Sequence, residues 1–204
     1  IVVMIAGTIV SEEFNKGTIK LLLVKPYSRN KILLAKFITV LIMIVFSTIM
    51  IIGMELIVGG IVYGFDSLNI PIVIYNFDTN MIQEFNVFAY SAIQLVTQLP
   101  IIILLATLSF ALSTIFTNAP VAISIPLLGY MGVAVINQLA IEYNIGFLKY
   151  FVTLNWDFSQ YLFGAMPIME GLTSIFSAII CIIYFLIMIV PTFVIFKKKN
   201  IKNI

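Results

Sequence analysis

The positions of the basic residues constrain this chain more than any other feature of its sequence. All but one of the 11 lysine and arginine residues lie in two clusters, and the exception is Lys149. The first cluster comprises Lys16, Lys20, Lys25, Arg29, Lys31 and Lys36, and the second comprises Lys197, Lys198, Lys199 and Lys202. Short loops rich in Lys and Arg stay on the cytoplasmic side of a membrane. The distribution therefore predicts a multi-pass protein of the cell (plasma) membrane, with a cytoplasmic C-terminus and an even number of crossings between the clusters.

The stretches between the clusters are long and apolar enough for several membrane spans. The chain is 62% hydrophobic and 10% charged, whereas a soluble domain contains about 25% charged residues. A span needs about 20 apolar residues, and the charge-free stretch 85–141 would measure about 85 Å as one helix. It must fold back, and Asn118 and Pro120 favour a turn there. The expected spans are 37–63, 89–116, 120–140 and 171–196.

The first ten residues are apolar but too few for a complete span. As a helix they would extend about 15 Å, half the thickness of a membrane, and the charged stretch Ser11-Glu12-Glu13 follows directly. We interpret residues 1–10 as the inner half of a span whose beginning is missing. The expected fold is all-α: a polytopic membrane helical bundle in a single transmembrane domain, 1–204. It would hold five of an original six transmembrane helices and a cytoplasmic loop at 11–36.

Residue types that carry chemistry are scarce. The sequence contains no histidine and one cysteine, Cys181, in an apolar run. Without histidine, HExxH metal sites and His-based triads cannot form. A GxxxxGK[ST] phosphate-binding loop is also missing, and no two acids share an expected span. We therefore expect no enzymatic activity and no metal or cofactor site. Membrane lipid is an expected partner, and nucleic acid is not.

One acidic residue, Glu55, falls inside an expected span. Ionisable groups deep in a membrane cost about 3 kcal/mol on insertion scales and are functional candidates. However, Lys36 marks the inner boundary, and a helix from Lys36 to Glu55 rises about 28 Å, which reaches the outer interface. Glu55 is therefore interpreted as an interface acid, with a place in a translocation path as the alternative.

The loop 11–36 reads SEEFNKGTIKLLLVKPYSRNKILLAK. Ser11 is a plausible N-cap, and Glu12 and Glu13 suit the positive end of a helix. An apolar stripe at helical spacing follows, formed by Phe14, Thr18, Leu21 and Leu22. Pro26 would end this helix. Such a helix could be an interfacial anchor on anionic lipid or a docking helix for a cytoplasmic partner, and the residues alone leave both open.

This string resembles the cytoplasmic loop of ABC type-2 permeases, the membrane subunits of ATP-binding-cassette exporters. In that family an acidic pair follows the second span, and Gly-Thr, a Leu-rich turn, Pro-x-Ser-Arg and a Lys come next. The matching residues here are Glu12, Glu13, Gly17, Thr18, Leu21 to Leu23, Pro26-Tyr27-Ser28-Arg29 and Lys36. The tail FKKKNIKNI also resembles the basic ending of the family.

The resemblance implies a permease subunit of an ABC exporter. It would couple ATP hydrolysis by a partner ATPase to export of a substrate, such as an antibiotic or peptide, across the cell membrane. It also implies a second permease copy and a coupling helix that sits in a groove of the ATPase. The coupling residues would be Glu12, Glu13, Phe14, Gly17, Thr18, Leu21, Leu22 and Arg29. The alternative is a non-transporting integral membrane scaffold, assembly factor or sensor anchor.

The charge distribution generates a prediction about orientation. In a Cys181→Ala background, a Lys198→Cys chain should resist a membrane-impermeant thiol reagent in intact cells, because the basic tail is expected inside. An Asn76→Cys or Asp157→Cys chain should be labelled. Labelling is scored on gels before and after cell lysis, and the reverse pattern would contradict the predicted topology.

Overall fold

The computed structural model describes residues 1–19, 27–66, 70–76, 80–143 and 145–199. Its elements are α1 (Val2–Thr8), α2 (Ser11–Asn15), α3 (Arg29–Tyr63), β1 (Pro71–Asn76), β2 (Met81–Asn86), α4 (Val87–Thr97), α5 (Leu99–Ile115), α6 (Ala119–Tyr143), α7 (Val152–Asn155) and α8 (Ser174–Lys198). Short 3-10 helices lie at Gly146–Tyr150 and Phe158–Tyr161. The described part of the chain is thus mostly helical.

Four helical stretches in the described residues are long and apolar enough to cross a membrane. They are Arg29–Tyr63, Val87–Ile115, Ala119–Tyr143 and Ser174–Lys198. The prediction of a helical membrane protein is therefore confirmed, and the even number of crossings between the basic clusters stays a prediction. Helix α1 has 7 residues and cannot cross a membrane by itself. The interpretation of residues 1–10 as part of a longer span stays a prediction.

The spans differ from the expected ones mainly at their ends. Helix α3 begins at Arg29 rather than at Phe37, so residues 29–36 of the expected loop 11–36 are already helical. The turn between α5 and α6 lies where it was predicted, and Pro120 falls in the first turn of α6, where its missing N–H costs nothing. The Val87–Ile115 stretch consists of two helices, α4 and α5, which meet at Gln98.

A β-hairpin departs from the all-α expectation. Strands β1 and β2 pair antiparallel, with Pro71 opposite Asn86 and Asn76 opposite Met81. The segment Pro71–Asn76 reads PIVIYN, and its β-branched and aromatic residues favour a pleated strand. At the end of β2 the Asn86 Oδ1 accepts hydrogen bonds from the backbone N–H groups of Phe88 and Ala89. Asn86 therefore ends the hairpin and caps α4.

The chain divides into two compact units. The first comprises residues 1–44, 102–135 and 182–204, and the second comprises residues 45–101 and 136–181. In the first unit, the Ser109 hydroxyl lies 2.8 Å from the carbonyl oxygens of both Val3 and Ala122. A Cβ on Gly7 would lie 2.6 Å from Ile123 Cγ1 and 2.8 Å from Ser109 Oγ. Glycine at position 7 thus permits close packing of α1 on α5 and α6.

A buried polar network organises the second unit. The Asn155 side chain is fully buried and donates to the carbonyl oxygens of Lys149 and Phe151, both at 2.7 Å. Ser177 Oγ donates to Asn155 Oδ1 at 2.7 Å and lies 2.6 Å from the Tyr161 hydroxyl. Burial raises the pKa of Tyr161, although its hydrogen bond with Ser177 acts in the opposite direction. Around the network Ala140, Leu154, Met169 and Leu172 form an apolar cluster.

The close packing at Gly7 generates a prediction. Gly7→Ala should lower the free energy of unfolding by about 1–3 kcal/mol, because the added methyl group overlaps Ile123 and disturbs the bonded Ser109 hydroxyl. Unfolding is followed by denaturant titration of the purified protein in detergent. Gly53→Ala is the matched control, since a Cβ there meets nothing within 4 Å. Equal destabilisation by both changes would show that the loss of stability does not come from the contacts of the added methyl group with Ile123 and Ser109.

Candidate functional site

The predicted coupling segment begins with a short helix. Helix α2 has 5 residues and is followed at Gly17 by a left-handed backbone with φ +68°. The expected helix running from Ser11 towards Pro26 is therefore wrong in length, because Gly17 interrupts it. Leu21 and Leu22, which belong to the predicted stripe, lie outside the described residues.

The N-terminus of α2 is not capped as predicted. Position Val10 precedes the helix and offers no side-chain cap, and the Ser11 hydroxyl donates to the Gly7 carbonyl oxygen at 2.6 Å. The cap comes from α5, where Ser113 Oγ accepts from the N–H groups of Val10 and Ser11 at 3.2 and 2.9 Å. Sequence reasoning missed Ser113, because nothing local links it to a residue so distant in the chain.

A partly buried ion pair joins α2 to α3. Lys36 Nζ lies 2.6 Å from Glu13 Oε1, and the two side chains are 12% and 26% exposed. The same ammonium donates to the Ile9 carbonyl oxygen at 2.6 Å, just before α2. The other Glu13 oxygen, Oε2, is buried without a hydrogen-bond partner among the described residues. Lys36 is therefore the main group that neutralises Glu13.

A second set of contacts joins α2 to the ends of α5 and α8. Phe14 is 1% exposed and packs edge-on against Phe196, with ring centroids 6.5 Å apart. Lys199 Nζ lies 4.2 Å from the centre of the Phe14 ring and donates to the carbonyl oxygens of Thr114 and Ile115 at 2.7 and 3.1 Å. A cation at these last carbonyls of α5 suits the negative end of a helix. Burial lowers the pKa of Lys199.

Arg29 completes this arrangement at the end of α8. Its guanidinium donates to the carbonyl oxygens of Lys197 and Lys199 at 3.2 and 2.9 Å. We call the group Glu13, Phe14, Arg29, Lys36, Ser113 and Lys199 the basic junction. Each member reaches from one helix or its flank to the end of another, so the basic junction holds α2, α3, α5 and α8 together within the first unit.

The predicted coupling residues therefore separate into two sets. Glu12 and Thr18 are exposed, and Glu12 forms an exposed ion pair with Lys16 at 2.9 Å. Glu13 and Phe14 point into the basic junction, and Arg29 is half-buried there. The expectation that Phe14 is part of an exposed docking stripe is corrected, since its ring is enclosed by Phe196 and Lys199. The surface left for a partner is the polar one around Glu12, Asn15, Lys16 and Thr18.

Glu55 lies away from these residues along the chain, in the second unit. It borders a cavity of about 410 Å³ together with Ile51, Ser91, Gln94, Leu95 and Gln98. The described residues contain no group of three or more His, Cys, Asp or Glu side chains that could hold a metal ion.

Comparison with known proteins decides the family. The chain matches, over residues 1–202, the family described as "Protein of unknown function (DUF2705)". It belongs to the DUF2705 family. This DUF2705 chain is 33% identical over 207 residues to "Uncharacterized protein YhcI" of Bacillus subtilis (strain 168), covering 98% of this chain but 64% of that relative. It is 27% identical to "Uncharacterized membrane protein YdbK" of the same organism, covering 98% of this chain and 76% of that relative. No solved structure matches.

This family assignment corrects the resemblance to ABC type-2 permeases. The whole chain matches DUF2705, and the loop pattern on which the resemblance rested is wrong as a family marker. The basic residues of that pattern are expected in any short cytoplasmic loop of a membrane protein, so they do not identify a family. The name of the second relative supports a membrane location for the DUF2705 chain.

The Glu13–Lys36 pair generates a prediction. Lys36→Met should cost about 2 kcal/mol of unfolding free energy, because it leaves the Glu13 carboxylate partly buried without a cation. Lys16→Met breaks the exposed pair with Glu12 and should cost less than about 0.5 kcal/mol. Denaturant titration in detergent measures both.

A double variant tests whether the loss is electrostatic. Adding Glu13→Gln to Lys36→Met removes the stranded charge and should recover part of the lost stability. No recovery would assign the effect of Lys36→Met to its hydrogen bond with Ile9 or to packing instead.

Proposed function

We propose that this DUF2705 chain is the plasma-membrane subunit of an exporter that is driven by a separate ATP-binding-cassette ATPase. The observation that carries the proposal is the exposed surface formed by Glu12, Asn15, Lys16 and Thr18, on α2 and the turn that follows it. We call this surface the exposed turn, and the buried contacts of the basic junction anchor it. In this proposal the turn binds the ATPase on the cytoplasmic side, and ATP hydrolysis takes place in the partner. A second copy of the chain would complete the path across the membrane.

The basic junction is suited to pass a displacement of α2 to other helices. The Glu13–Lys36 pair and the Lys36–Ile9 hydrogen bond connect α2 to α3. Phe14 connects it to α8 through Phe196, and its neighbour Lys199 is bonded to the end of α5. Packed interiors resist compression. A partner that pushes on the exposed turn would therefore move the ends of several helices at once.

The exposed side of the turn offers polar contacts rather than an apolar stripe. Glu12 and Lys16 present opposite charges, and Asn15 and Thr18 add neutral hydrogen-bonding groups. Such a surface resembles the polar rim of a transient protein interface more than its apolar core. It suits a partner that binds reversibly through complementary charges, and it also suits the alternative role of a membrane scaffold or sensor anchor, which requires no ATPase.

Site-directed cross-linking tests the proposal. In a Cys181→Ala background, a photoreactive maleimide attached at Thr18→Cys in the native membrane should cross-link to an ATP-binding-cassette ATPase, identified by mass spectrometry. The same reagent at Glu170→Cys, another exposed position that lies in the second unit, should not. Physical proximity of the turn and the ATPase is the reason for the difference.

A second variant separates contact from coupling. Phe14→Ala removes the buried ring beneath the turn and leaves the exposed residues in place. It should preserve the cross-link but weaken the effect of the membrane subunit on ATP hydrolysis by the purified complex. If neither Thr18→Cys nor Asn15→Cys captures an ATPase, the scaffold or sensor-anchor role replaces the exporter.

A further inference from the structure

The cavity beside Glu55 has the composition of a binding site for a cation. Its volume is about 410 Å³. The side chains that line it are one carboxylate, two amides, one hydroxyl and two aliphatic groups. These residues are Glu55, Gln94, Gln98, Ser91, Ile51 and Leu95. Cavities with an apolar lining and a few convergent polar groups are the usual form of small-molecule sites.

The carboxylate of Glu55 is not neutralised within the described structure. It forms no ion pair or hydrogen bond with any residue that the structure describes, and the side-chain amides of Gln94 and Gln98 are also unbonded there. Glu55 lies on the long apolar helix α3, and the other residues that line the cavity beside it carry no positive charge. A bound cation would supply the missing charge.

Helix α4 and the residue that follows it supply three of the polar residues that line the cavity. Ser91, Gln94 and Gln98 are spaced three and four residues apart, which places them on one face. Gln98 itself stands at the junction where α4 ends and α5 begins. Irregular backbone inside an apolar span is tolerated where it lines a cavity. The break between α4 and α5 at Gln98 and the polar face formed by Ser91, Gln94 and Gln98 therefore both line this cavity.

The neighbouring cavity in the same unit is less suited to a polar ligand. It measures about 320 Å³, shares Gln94 and is lined by Tyr75, Tyr90, Gln160 and Phe163 among others. The Gln160 amide already donates to the carbonyl oxygens of Leu154 and Asp157 and accepts from Ile168 N–H. The Tyr75 hydroxyl is bonded to Asn80. The residues that line this cavity include no carboxylate, so a cation would find no opposite charge there.

We propose that the Glu55 cavity binds the primary ammonium group of a cationic amphiphile. A primary ammonium has three N–H donors, which match the Glu55 carboxylate and the amide oxygens of Gln94 and Gln98. A divalent metal ion suits the site less well, because calcium requires six to eight oxygen ligands. The half-exposed side chain of Ile51 and the adjacent Leu95 provide an apolar surface for the tail.

This proposal deepens the exporter function by naming a substrate class, and it rests on that function only for calling the ligand a cargo. Binding itself is tested on the membrane chain alone. The chain is reconstituted in phosphatidylcholine nanodiscs, and binding of radiolabelled dodecylamine is measured by equilibrium dialysis against empty nanodiscs. Glu55→Gln should weaken binding on the order of tenfold or more, because a charge-assisted hydrogen bond becomes a neutral one.

Two controls make the measurement specific. Glu142→Gln alters an exposed acid at the end of α6 and should leave dodecylamine binding unchanged. Dodecanol has the same tail without the charge and should bind no better to the wild-type chain than to Glu55→Gln. Equal dodecylamine affinity of the wild-type and Glu55→Gln chains would overturn the proposal, and so would equal binding of dodecanol and dodecylamine to the wild-type chain.

A further arm identifies the source of the ammonium group. Replacing part of the phosphatidylcholine with phosphatidylethanolamine supplies a lipid that carries a primary amine. Competition with dodecylamine assigns the site to a lipid headgroup, and absence of competition assigns it to a free amine. Either result retains the ammonium site. Because no ATPase takes part, loss of binding in Glu55→Gln supports the site even where the cross-linking experiment rejects the exporter.

Discussion

Helix ends in the first unit are satisfied by side chains that reach them from other parts of the chain. Lys199 bonds the last carbonyl groups of α5, Arg29 bonds those of α8, and Ser113 accepts from the N–H groups that open α2. Near a membrane this matters, because unpaired backbone groups away from water cost several kcal/mol each. The basic residues of this chain, from which its orientation was predicted, therefore also form contacts within the fold. They connect helix to helix, and the exposed turn after α2 depends on them for its position.

Much of the membrane architecture could be predicted from charge and length. The apolar stretches of the sequence predicted membrane-spanning helices, and the described residues contain four helices that are long and apolar enough to cross a membrane. Asn118 and Pro120 located the turn between α5 and α6 correctly. These features are local properties of the sequence, because a charge or a proline acts on its own neighbourhood whatever the rest of the fold does.

The candidate site was less predictable, because it depends on contacts between distant residues. The pattern around Phe14 indicated an exposed apolar stripe, yet Phe14 is buried against Phe196 and Lys199. The sequence shows a glycine at position 17, which permits a left-handed backbone. Only the folded structure shows that Gly17 adopts this conformation and interrupts the helix. The hairpin at 71–86 was missed for a similar reason, since two short strands carry little signal until they pair. The family assignment shows the same limit, because a short loop pattern was a weaker guide than the whole chain.

Several polar residues inside the apolar helices form hydrogen bonds within the chain, and this separates them from Glu55. Thr107 and Thr192 donate to carbonyl oxygens one turn earlier in their own helices, at 2.7 and 2.6 Å. Ser109 lies between two backbone carbonyls. These hydroxyl groups form hydrogen bonds with backbone carbonyl groups of the chain itself. Their presence in an apolar segment is therefore explained without a ligand. Glu55 differs because it carries a charge that the described residues do not neutralise, and it borders a cavity where a ligand could do so. A negative charge without an opposite charge among the described residues, at the wall of a cavity, is what marks Glu55 as a candidate for binding.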